Sequence, residues 1–124
     1  MNLRNPLARV KGLGASGEGS HHWWLQRVTA LALVPLSLWF VFSIIGHIGD
    51  SHSEISAWMA QPSVALLLIL YLCFMFFHAQ LGVQVVIEDY VHSEPVKIVS
   101  LLLVKAIAIV AGLASILSVL RLAL

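Results

Sequence analysis

The sequence predicts an all-α membrane protein of three transmembrane helices, with the N-terminus cytoplasmic and the C-terminus periplasmic. Three observations carry this. Sixty per cent of the 124 residues are hydrophobic and ten per cent are charged, whereas soluble domains average about 25% charged. A chain this short cannot hide so much apolar surface in water, because small domains bury too small a fraction of themselves. The apolar residues gather in three long runs, and Lys and Arg collect on one side of them. The formal net charge of +1 says little by itself, and no nucleic-acid partner is expected.

The runs are Val28 to Ile48, Val64 to Ile87 and Ile98 to Leu120, the third interrupted by Lys105. Roughly 20 apolar residues of helix cross the ~30 Å hydrocarbon layer. With flanks included, the expected spans are about 24–48, 63–89 and 95–120 of a single membrane-anchor domain, residues 1–124. In lipid every backbone polar group needs an internal partner, so such runs form helices. The first run is about twice as long as a signal h-region and no small-residue cleavage site follows it, so it is expected to stay in the membrane. Gly49-Asp50-Ser51 ends the first span, and Pro62 fits the first turn of the second. Ser93-Glu94-Pro95 reads as a helix start. Pro35, inside the first span, is expected to kink it.

Orientation follows from Lys and Arg near the spans. The N-terminal segment holds Arg4, Arg9, Lys11 and Arg27, and the connection at 88–97 adds Lys97. The loop at 49–63 has none and carries Asp50 and Glu54, while the C-terminal tail offers only Arg121. The protein is therefore expected to be multi-pass in a bacterial inner membrane. Trp23, Trp24 and Tyr90 would sit at the inner interface and Trp58 at the outer one, where amphipathic rings are favoured.

The second span carries the chemistry. His78 lies ten residues before Glu88, about 15 Å along a helix, which places its imidazole near the bilayer midplane. Ionisable side chains there normally face a bundle interior or a cofactor. A neutral histidine bonded to a neighbouring helix also fits. At ~100° per residue, Gly82, Val85 and Asp89 fall within about 40° of His78, giving one stripe from midplane to inner surface. Imidazole is a common axial ligand of haem iron. A glycine one turn later lets a flat macrocycle lie near the backbone, although close helix packing explains it equally well. Asp89 and Tyr90 end the stripe. A carboxylate beside a phenol can hydrogen-bond a carbonyl compound and pass protons, or can simply anchor the helix at the headgroups. No second midplane histidine exists in the chain, so a haem with two histidine ligands would need another polypeptide.

Arg27 opens the first span on the inner side, where its planar fork suits haem propionates or a quinone oxygen; positive-inside anchoring fits equally. His21, six residues earlier, can join it or be solvated. Lys105 is expected to snorkel toward the inner interface. The single cysteine, Cys73, excludes an internal disulfide and a four-thiolate iron–sulfur cluster. Gly12-Leu-Gly14-Ala-Ser-Gly17 matches a dinucleotide fingerprint, but no strand precedes it, and it reads as a flexible linker.

His22-Trp-Trp-Leu-Gln-Arg27-Val-Thr29-Ala-Leu, together with His78-x-x-x-Gly82 and Asp89-Tyr90, resembles the hydrophobic D-subunit family of succinate dehydrogenase (complex II), in its alphaproteobacterial and mitochondrial-like form. With the three spans in register, the resemblance covers nearly the whole chain. It implies a haem b whose iron is held by His78 and by a histidine of a companion cytochrome b556-type anchor subunit. Gly82 would lie beside the ring, and Arg27, with His21 or His22, would meet its propionates. It implies Tyr90 hydrogen-bonding ubiquinone, with Asp89 beside it. The chain would be a non-autonomous subunit of an enzyme whose flavoprotein subunit oxidises succinate and whose iron–sulfur subunit passes two electrons to quinone. The alternatives are the anchor of a fumarate reductase, or a structural or assembly membrane protein without cofactor.

Overall fold

The computed structural model describes residues 16–124, with side chains from residue 19 onward. Arg4, Arg9, Lys11 and Gly12–Ala15 lie outside the described residues. Four helices follow in order: α1 (Ser16–Gly46), α2 (His52–Met59), α3 (Pro62–Tyr90) and α4 (Glu94–Ala123). Three of them, α1, α3 and α4, are long and apolar enough to cross a membrane. At 31, 29 and 30 residues, each is roughly 45 Å long at ~1.5 Å per residue. All three outreach the ~30 Å hydrocarbon layer, so their ends project into the headgroup region.

The helices depart from the expected spans at several ends, and α4 runs on to Ala123. Helix α1 begins at Ser16, well before residue 24, and takes in Gly17 of the expected linker. The apolar run marks where lipid is, whereas a nucleated helix goes on adding one hydrogen bond per residue until something stops it. It continues unbroken through Pro35. At its other end it stops at Gly46, two residues short of 48. There the bonds tighten to an i→i+3 pattern, with His47 N–H on Ile44 O at 3.1 Å and Asp50 N–H on His47 O at 3.1 Å. Gly49 reverses the chain at φ +93°, a conformation that favours glycine.

The loop beyond contains a helix that the periodicity does not announce. Ser51 and Glu54 form a capping box. Glu54 N–H donates to Ser51 Oγ at 3.3 Å, and Ser51 N–H donates to Glu54 Oε2 at 2.7 Å. Together these satisfy two of the donors a helix start leaves open. The Ser51 backbone N–H, and then its hydroxyl, hold the Glu54 carboxyl below its ordinary range. Pro62 and Pro95 occupy first-turn positions of α3 and α4.

Helix α3 is central: α1 and α4 both pack along it, and α2 touches α3 and α4. The core sits at the α2 end, where Met59, Val64, Leu68 and Val119 are buried under Trp39, Phe40 and Trp58. Trp39 and Trp58 stack at 6.3 Å, and the His47 ring lies 4.4 Å from Trp58. Elsewhere large apolar side chains such as Leu31, Phe42, Leu102 and Val110 stay exposed, as a lipid-solvated surface requires. Toward the opposite end Thr29, Gln80 and Leu81 are buried.

Candidate functional site

Helix α3 places His78 near its middle, half-buried and turned toward α1. There it meets Thr29, which is 3% exposed. His78 Nδ1 lies 2.9 Å from Thr29 Oγ1. Among the described residues Nε2 makes no hydrogen bond. Thr29 shares its face of α1 with His22 and Gln26, because steps of three and four residues return to one side of a helix. Among the described residues both neighbours carry a buried atom without a partner, His22 Nε2 and Gln26 Oε1. Buried polar atoms are rarely left unpaired, so these two mark a polar stripe on α1 beside Thr29.

Gly82 lies one turn from His78, opposite Gln26. A methyl group built on it would meet only Gln26 Nε2, at 3.7 Å. That is an ordinary contact, so packing between α1 and α3 does not itself demand glycine here. Gly82→Ala should therefore insert and fold as the parent does, helped by the roughly 1 kcal/mol by which alanine favours helix over glycine. If the missing side chain instead admits a planar ligand, bound pigment falls while the amount of polypeptide stays constant. Absorbance per mole of subunit separates the two roles.

The residues expected to cluster do so unequally. Asp89 and Tyr90 end α3, both exposed, Tyr90 at 78%. Neither forms a hydrogen bond among the described residues. Arg27 is exposed, and its guanidinium lies 4.6 Å from the centre of the Trp23 ring. About 160° around α1 from Thr29, it faces away from His78. His21 is exposed, whereas its neighbour His22 lies on the Thr29 face. Of the two, His22 is the one directed at the polar stripe.

Two sets of residues escape reasoning from sequence. Thr29 stands out there only as part of a motif, although the polar spacing His22, Gln26, Thr29 within an apolar helix marks a face. The second is a ladder along α3: Gln80 Nε2 donates to Gln84 Oε1, and Gln84 Nε2 to Glu88 Oε1, each at 2.9 Å. The i, i+4 spacing of these residues is its signal. It runs along another side of α3 from His78, about 200° away at Gln80. There Gln80 and exposed Lys105 border an apolar groove of 360 Å³ with Leu72, Phe76 and Gly112. Lys105 makes no ion pair among the described residues.

Among the described residues no cluster of three or more His, Cys, Asp or Glu could hold a metal ion by itself. A single imidazole with a free Nε2 instead suits an iron whose equatorial positions are filled by a porphyrin. Gly82, one turn from His78 and without a side chain, adds no bulk to that face of α3 against a planar ligand.

Fold and site together define a multi-pass membrane protein presenting one mid-span imidazole on an incompletely satisfied polar face. The model describing the succinate dehydrogenase/fumarate reductase transmembrane subunit matches residues 1–114, and the chain belongs to that family. The succinate dehydrogenase hydrophobic membrane anchor subunit of Rickettsia bellii (strain RML369-C) is 34% identical over 119 residues, 95% of this chain and 94% of that protein. The succinate dehydrogenase membrane anchor subunit of Reclinomonas americana is 36% identical over 96 residues, covering 74% and 79%. That of Paracoccus denitrificans, named as a hydrophobic membrane anchor subunit, is 31% identical over 90 residues, covering 73% and 70%. No solved structure shows a significant match. The chain is thus a membrane anchor subunit within an enzyme family whose members work as complexes.

Proposed function

We propose that this chain is the hydrophobic anchor of a succinate:ubiquinone oxidoreductase in a bacterial inner membrane, binding haem b with a companion anchor subunit and contributing to the quinone-reduction site. The carrying observation is the His78 imidazole in the middle of the central helix, with one ring nitrogen engaged by Thr29 and the other without a partner among the described residues. A bis-histidine haem needs a second ligand from the companion. Bound haem would supply one-electron storage.

This chain's own residues do the rest. His78 Nε2 would hold the iron, Gly82 would add no side chain against the ring, and His22 and Gln26 would line the polar stripe of α1 behind them. Arg27, exposed beside Trp23 on the side of α1 turned away from His78, would have to reach around that helix to meet a propionate. At the end of α3 the Tyr90 hydroxyl donates to a quinone carbonyl, and Asp89 exchanges protons with water beside it. Quinone reduction consumes two electrons and two protons, so its site must reach water. An exposed carboxylate and phenol at a helix end satisfy that. The electrons come from succinate through the flavoprotein and iron–sulfur subunits. Arg27 and Lys97 at this end, against Asp50 and Glu54 at the other, support a cytoplasmic position for it.

The relatives' names favour succinate oxidation over fumarate reduction as the physiological direction. The test is purification of the tagged chain from its native membrane. Flavoprotein, iron–sulfur and second anchor subunits should accompany it, with b-type bands on reduction by succinate. Isolation of the chain alone would overturn the assembly. A complete complex without such bands would overturn the haem.

A further inference from the structure

The contact between α1 and α3 has a chemical direction. Thr29 Oγ1 lies 2.7 Å from Leu25 O, 3.0 Å from Gln26 O and 2.9 Å from His78 Nδ1. Carbonyl oxygens carry no hydrogen, so contacts to them require the single hydroxyl proton of Thr29. With that proton committed to the α1 backbone, only an oxygen lone pair faces the imidazole. Nδ1 is then the donor, and Nε2 carries the lone pair. The opposite tautomer would pull the hydroxyl proton away from Leu25 O and leave an Nε2 N–H without an acceptor among the described residues. It makes one hydrogen bond where the first makes two. At 3% exposure Thr29 has no water to compensate.

We propose that Thr29 is a positioning residue that holds His78 in its Nδ1–H tautomer and fixes the ring plane, so that the Nε2 lone pair is presented to the haem iron. This rests on the haem reading above. A ligating histidine commonly donates its other N–H to an oxygen that orients the ring and raises its basicity, and loss of such a partner weakens metal binding by about 10- to 100-fold. Here the partner is a neutral hydroxyl on a different helix. The bond therefore also ties ligand geometry to the packing of α1 on α3.

The experiment compares complexes carrying Thr29→Val, Thr29→Ser and Thr29→Ala with the parent. Two readouts are taken: the rate of haem loss to excess haem-scavenging globin, and the low-spin electron paramagnetic resonance signal, which reports the axial ring planes. Thr29→Val, near in volume but without the hydroxyl, should lose haem at least about tenfold faster and give a broadened or shifted signal. Thr29→Ser should keep the parent's values. If the valine variant does not assemble, the serine–alanine pair decides, because those side chains differ by one oxygen atom. Parental retention and spectrum in Thr29→Val, or in Thr29→Ala, would overturn the proposal. Haem retained in His78→Ala would instead overturn the ligand assignment beneath it, so the two failures are distinguishable.

Discussion

His78→Ala should abolish the reduced b-type spectrum of the assembled complex, with haem per flavin falling more than about tenfold. Loss of a direct ligand should cost at least as much as the 10- to 100-fold that follows loss of a partner behind one. The fold should survive. Thr29 keeps its bond to Leu25 O when the imidazole goes, and alanine is at ease in a membrane helix. The amount of anchor polypeptide in membranes is the necessary control, and haem at the parental level would remove His78 as ligand. Succinate oxidation by an artificial dye, retained in the washed membrane fraction, would show that the water-soluble subunits are still docked.

For Tyr90→Phe the expected result is quinone reduction slowed about 100-fold, within the range typical of a lost proton donor, with dye reduction unchanged. Tyr90 is 78% exposed and its hydroxyl bonds to nothing among the described residues, so the phenol contributes little to the fold of this chain. Phenylalanine keeps the ring, and with it any anchoring at the interface. Only the hydroxyl is deleted. Comparison of succinate-to-quinone with succinate-to-dye rates checks this, and equal ratios in variant and parent would discard the role.

Much of this architecture is legible in the sequence because the bilayer simplifies the problem. Hydrophobic length alone announces a span, and the prolines at 62 and 95 mark helix starts by a local rule. Helix α2 is equally legible in Ser51-x-x-Glu54, but a criterion of apolar length passes over it. The early start of α1 is less so, since residues 16–23 are polar enough to read as loop, and continuity of a helix is a cooperative property.

Within the site, periodicity places His78, Gly82 and Asp89 on one side of α3, because angle along a helix is a property of one segment. It cannot say which side of α1 meets them. That α1 turns Thr29, Gln26 and His22 toward α3, and leaves Arg27 against Trp23, depends on how the two helices rotate about their own axes. That rotation is set by side-chain packing between residues some fifty positions apart. Sequence by itself determined that the chain crosses a membrane three times and carries one imidazole at mid-depth. Only the tertiary structure decided which nitrogen of that ring is engaged and which stands free, because a hydrogen bond joins atoms in space and leaves no period along the chain.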